Sequence, residues 1–171
     1  MTNLNNRKLK IKGLAAIELT LILPILLFLV FIVAEYSRLL YQYNALNSTV
    51  RDAARYLIDY GTPGSTNVID ITPELAKNAS YLISSGEHQS SNTLLPNLGA
   101  TASMPADSVT NNYVINETGY ELRITVVDDF ITLTVIYDWQ PVFADLLPTF
   151  SSQGSFDLSY DLVVHYTMRA L

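Results

Sequence analysis

The chain has 171 residues, two histidines and no cysteine, and its formal net charge is −6. Residues 1–12 hold Arg7, Lys8, Lys10 and Lys12 with no acid, whereas from Glu35 onward fifteen acids outnumber six bases. The missing cysteine excludes disulfides, thiolate zinc sites and cysteine nucleophiles, and so acidic a body does not suit nucleic acid, which is held through clustered Lys and Arg.

The basic leader, 1–13, runs into Leu14–Ala34, 21 residues whose one charge is Glu18. As a helix that stretch reaches about 30 Å, the thickness of a bilayer's hydrocarbon core. Four bases before it predict a cytoplasmic N-terminus and an extracytoplasmic body. A secretory signal peptide has a shorter apolar core and a small-x-small cut site; Phe31-Ile32-Val33-Ala34-Glu35 lacks the small residue three before a cut. Pro24 lacks an N–H and is expected to bend the helix.

Glu18 is the anomaly, since an acid at the centre of a spanning helix costs about 2.5–3.5 kcal/mol on insertion scales and less near the interface. A carboxylate reaching up to the cytoplasmic headgroups would explain it simply. The residues before it offer more. A cut after Gly13 leaves Leu14 as a new N-terminus four residues before the acid. The freed ammonium and the carboxylate, both poorly solvated, could pair between staggered neighbouring helices, offset desolvation and set the register of an assembly.

Beyond the span the helical period continues over 35–60. Tyr36, Leu39, Tyr43, Leu46, Val50, Ala53, Leu57 and Tyr60 follow 3,4 spacing, while Arg38, Gln42, Asn44, Asn47, Arg51, Asp52, Arg55 and Asp59 are placed toward solvent. Tyr43, Leu46, Val50, Ala53 and Leu57 are the residues expected to pack on a sheet. Gly61, Pro63 and Gly64 end the helix.

In the head, 61–171, Thr72-Pro73-Glu74 opens a short helix over 73–85 with Gly86 as its stop. A long loop is expected over 87–117. An antiparallel sheet over 120–168 follows: Leu122, Ile124 and Val126; then, after Asp128-Asp129, Ile131, Leu133, Val135, Tyr137 and Trp139; then Phe156, Leu158, Tyr160, Leu162, Val164 and Tyr166. Three strands with one apolar side need a cover, and the 36–60 stripe supplies it. The fold class is α+β: a long N-terminal helix laid on a small antiparallel sheet.

Little points to bound chemistry. His88 falls in a polar loop and His165 on the polar side of a strand. No glycine-rich phosphate loop, nucleophile elbow or histidine pair at metal spacing occurs. Asp128-Asp129 and Asp157-x-x-x-Asp161 read as turn and solvent-face acids, not as a calcium site. Asn47, Asn78 and Asn116 fit the glycosylation pattern, which chance explains in so Asn/Ser/Thr-rich a chain. No catalytic residue, metal or cofactor is expected.

Three stretches resemble a known family. GLAAIELTLILPILLFLVFIVAEYSRLLY, with its glycine, its acid five residues on and the Glu35-Tyr36-x-Arg38 exit from the membrane, is similar to the N-terminal block of TadE-like minor pseudopilins of the tight-adherence (Flp pilus) system, a type IV pilin-like class. NSTVRDAARYLI (47–58) resembles the helix that follows, and LTVIYDWQPVFADLLP with SFDLSYDLVVHYTMRAL resembles the closing sheet. These cover about half the chain; 61–118 matches nothing comparable. Two departures stand out: Leu19 replaces the aromatic of Flp-type pilins, and the cysteines common in TadE-like proteins are missing. The first favours a minor component over the major pilin.

The resemblance implies a pilin-like fold, a non-enzymatic role, and cleavage between Gly13 and Leu14 at the bacterial inner membrane. It also implies partners: a prepilin peptidase, the pilus assembly platform with its ATPase, the major Flp pilin and other pseudopilins. The alternative is an uncleaved single-span receptor or adhesin module; a filament-forming major pilin would be much shorter.

Overall fold

The computed structural model describes residues 5–62, 68–87, 93–96, 98, 112–142 and 159–170, with side chains from residue 14 onward. Helix α1 runs from Asn5 to Gly61, 57 residues without interruption, or about 85 Å at 1.5 Å per residue. The expected leader, span and amphipathic stretch are therefore one element, and the helix already includes leader residues from Asn5. It also continues through Pro24, where only the Thr20 carbonyl loses its backbone donor. From Leu14 to Ala34 every side chain is exposed, while the upper part of the same helix enters the core.

Helix α2, Pro73–Ser85, has the predicted ends. The Thr72 hydroxyl accepts from the Leu75 N–H at 3.3 Å, and Gly86, at φ 75°, donates its N–H to the Leu82 carbonyl at 2.9 Å. A Cβ at Gly86 would lie 3.0 Å from Leu94 Cδ1 and in a left-handed conformation. Gly86→Ala is expected to cost about 1–2 kcal/mol, read as a lower urea midpoint with unchanged slope.

The sheet has four antiparallel strands in the order β1-β2-β3-β4: Tyr113–Glu117, Tyr120–Val127, Phe130–Trp139 and Tyr160–Arg169. The first corrects the sequence reading, which left 87–117 as loop. Tyr-Val-Ile-Asn-Glu is too short to show its alternation against a polar background, yet Tyr113 and Ile115 are buried and Val114 is exposed. Thr118-Gly119 joins β1 to β2, with Gly119 at φ 84°. Asp128-Asp129 is the turn expected between β2 and β3; Asp128 takes φ 52°, a conformation Asp tolerates better than most residues. The alternation read from β3 is the one observed: Ile131, Leu133, Val135, Tyr137 and Trp139 are buried. In β4, Leu162 and Val164 are buried and Tyr166 partly so, but Tyr160 is exposed; Phe156, Leu158 and Asp157 lie outside the described residues.

The core lies between the inner sheet face, α1 and α2. Tyrosines close its edges. Tyr113 donates to the Ile71 carbonyl and Tyr137 to the Pro96 carbonyl, each at 2.5 Å. Burial pushes the Tyr120 hydroxyl up to about 12, against the opposing hydrogen bond from Ser80, and burial also raises Tyr113 and Tyr137. A phenol with a raised folded pKa contributes its full stability below pH 10 and loses it as the pH climbs to the folded value. Stability is thus expected to fall between pH 10 and about 12, with roughly 3 kcal/mol of that from Tyr120. Tyr120→Phe should flatten the slope in urea titrations at stepped pH.

Candidate assembly site on the long helix

The upper part of α1 does not meet the sheet in the heptad register read from the sequence. Leu46, Val50, Ala53 and Leu57 are fully buried as expected. Tyr43, expected beside them, is 40% exposed, and Tyr36 and Tyr60 are also exposed. Gln42, assigned to solvent, is instead 3% exposed. The reason is geometric. A straight α-helix falls back about 20° in seven residues, so a seven-residue series walks off the contact line, whereas an 11-residue series advances about 20° and drifts more slowly per residue. Glu35, Leu46 and Leu57 form one such series, and Gln42 and Ala53 another. The side chains of both series are buried or nearly so.

At its lower end this contact line becomes polar. The Val142 N–H donates to Glu35 Oε1 at 2.7 Å, and Arg38 Nη2 donates to the Gln140 carbonyl. Arg38 Nε faces Glu35 Oε2 at 3.6 Å, and the guanidinium stands 5.6 Å from the centre of the Trp139 ring. Both ion-pair side chains are largely covered, at 27% and 14% exposure, so this pair is less screened than an exposed one. Trp139 packs on Tyr160 with ring centroids 5.1 Å apart. Gln42 Oε1 and Trp139 Nε1, one acceptor and one donor, are buried without a hydrogen-bond partner among the described residues.

Glu35 and Arg38, expected at the membrane exit, clamp the end of β3 to the helix. Tyr36, one residue on, points outward. Sequence reasoning missed Gln42, Trp139, Gln140 and Val142 as members of this knot. Only the chain's single tryptophan, closing an alternating strand and followed by Gln-Pro, hinted at it.

The lower helix carries the other predicted residues. Gly13 lies within α1 and Leu14 follows it, exposed, at the start of the apolar stretch. Glu18 is exposed one turn further on, and no ion pair among the described residues involves it. Thr20, beside it, returns its hydroxyl to the Ile17 carbonyl at 2.8 Å. The largely apolar side chains of 14–34, all exposed among the described residues, require an apolar surrounding. The segment is long and apolar enough to cross a membrane. Among the described residues no group of acids and histidines could hold a metal; His165 Nδ1 is 3.0 Å from the Thr134 hydroxyl on the outer sheet face.

Comparison with known proteins places this helix. No curated protein and no solved structure matches the chain. One family does: the model of the TadE-like protein family matches residues 13–55, beginning at Gly13 and ending within the buried stripe. That family points to the Tad/Flp pilus system. The apolar helix and the stripe that follows it, about a quarter of the chain, are thus a TadE-like segment.

Proposed function

We propose that the protein is a minor pseudopilin of a Flp-type, tight-adherence pilus. It inserts in the bacterial inner membrane with its N-terminus cytoplasmic and its head outside. A prepilin peptidase cuts it between Gly13 and Leu14, and it then joins or primes the pilus through the assembly platform, its ATPase, the major pilin and other pseudopilins. It is not an enzyme. The observation that carries this reading is the TadE-like match starting at Gly13, on a helix whose lower part is wholly exposed and whose upper part is built into the head.

The physical logic follows from that helix. Apolar side chains from Leu14 to Val33 exchange lipid for neighbouring helices without a large change in solvation, since both surroundings are apolar. After cleavage the Leu14 ammonium pairs with Glu18 of an adjacent subunit, and the pair fixes the axial stagger. A bulky residue in place of Gly13 is expected to leave the leader attached. Gly13→Val co-expressed with the peptidase should run as the uncut chain on a gel, whereas wild type runs as the cut one. Cleavage of Gly13→Val at the wild-type site would overturn that assignment. The alternative, an uncleaved single-span receptor or adhesin module, predicts no difference between the two.

A further inference from the structure

The polar knot fixes the height of the head above the apolar span. Glu35 is the first residue after Ala34, and its carboxylate holds the Val142 N–H at 2.7 Å. Arg38, one turn higher, holds the Gln140 carbonyl and covers the Trp139 ring. The end of β3 therefore lies level with the point where the helix leaves its apolar stretch. No free length of helix separates the two.

Polar Ser37, Gln140 and Ser159 are exposed at that level, but the large side chains exposed there are aromatic or apolar. On the helix they are Tyr36, Leu40 and Tyr41, at 62%, 42% and 71% exposure; on the sheet end they are Val142 and Tyr160, at 57% and 45%. Tyr160 is paired with Trp139 in the sheet register and packs on its ring, with Arg38 of the helix over the same ring, so Tyr160 lies at the level of the knot. Tyr36 and Tyr41 differ by about 140° around the helix axis, so the aromatic rim extends around the stalk. Asp138 and Asp161 face each other across β3 and β4 at the adjoining register. By strand alternation they lie on the opposite sheet face from Trp139 and Tyr160. An aromatic and apolar rim immediately above an apolar span, with the acids turned away from the helix, matches the headgroup layer of a bilayer, where Tyr and Trp place an apolar ring and a polar tip together.

We propose that the rim formed by Tyr36, Val142 and Tyr160 sits in the headgroup layer on the head's side of the membrane, so that the head rests on the bilayer. The occupant is lipid because the rim is continuous with the span. This inference needs only that α1 crosses the membrane, and it is independent of cleavage and of pilus assembly. Its consequence is mechanical: extraction of the subunit must break a head–lipid contact as well as remove the helix.

The chain's sole tryptophan, Trp139, reports on this without substitution. The full chain is reconstituted in phosphatidylcholine nanodiscs carrying a nitroxide either on the headgroup or deep in the acyl chain. Headgroup nitroxide is expected to quench Trp139 several-fold more than the deep one. Since the chain has no cysteine, Val142→Cys and Val127→Cys can each carry a single environment-sensitive dye; Val127 is exposed at the other end of the sheet. Headgroup nitroxide should quench the dye at 142 and leave that at 127 bright. Absence of quenching at both Trp139 and position 142 would show a head standing clear of the membrane, and equal quenching at 142 and 127 would show a head lying flat; either overturns the proposal.

Discussion

A chain carrying Glu18→Ala is expected to insert, lose its leader and fold its head as wild type does, yet leave cells with few or no pili. Removing the acid makes the span more apolar, so insertion becomes easier. Folding is untouched because Leu46, the first fully buried apolar residue of α1, lies 28 residues along the helix, about 42 Å away. On the proposed reading, what is lost is the counter-ion of the ammonium that cleavage after Gly13 would create. Removing one member of a poorly solvated ion pair leaves the other uncompensated, at about 3–5 kcal/mol when fully buried, and one such defect per subunit suffices to block stable addition. Glu18→Gln, of the same shape without the charge, should fail likewise. Counting pili by electron microscopy, with immunoblots for insertion and cleavage, separates these stages. Normal piliation in the alanine variant would remove the role assigned to the carboxylate.

The second large effect lies in the head. Leu46→Ala is expected to destabilise it by about 2–5 kcal/mol, the range for truncating a fully buried leucine. Tyr43→Ala, three residues before it, should stay within about 0.5 kcal/mol, as surface substitutions do. A heptad seam would make both costly, so the pair tests the register of the helix on the sheet. Urea unfolding of the full chain in detergent, followed by the fluorescence of Trp139, reads both; equal losses would restore the heptad reading.

The contrast between Tyr43 and Gln42 also shows where sequence stops being informative. Apolar residues spaced by seven identified the helix and its central contacts at Leu46, Val50, Ala53 and Leu57. The spacing could not say which end would drift off the sheet, because that depends on the straightness of the helix and on where the sheet lies. A buried glutamine at the margin of a core looks like a surface residue until its surroundings are known. The ends of α2 were legible to the residue, since Thr72, Pro73 and Gly86 each satisfy or terminate a backbone group locally. Strands β2 and β3 were legible from alternation. Strand β1 was not, being five residues long and stabilised by its pairing with β2. The clamp of Glu35 and Arg38 on residues 139–142 joins parts of the chain more than a hundred residues apart. Nothing local encodes it. Gly13 and Glu18 stand out for the opposite reason: a glycine and an acid at the threshold of an apolar run are an anomaly of the sequence itself, and their roles are proposed from it.

The account rests on removal of the leader, and the mass of the protein isolated from its native membrane tests that most directly. In cells that assemble pili, the mature chain should begin at Leu14, with a mass short of the full sequence by residues 1–13. A chain that still begins at Met1 or Thr2 in those cells would contradict the account and leave the uncleaved single-span receptor as its replacement.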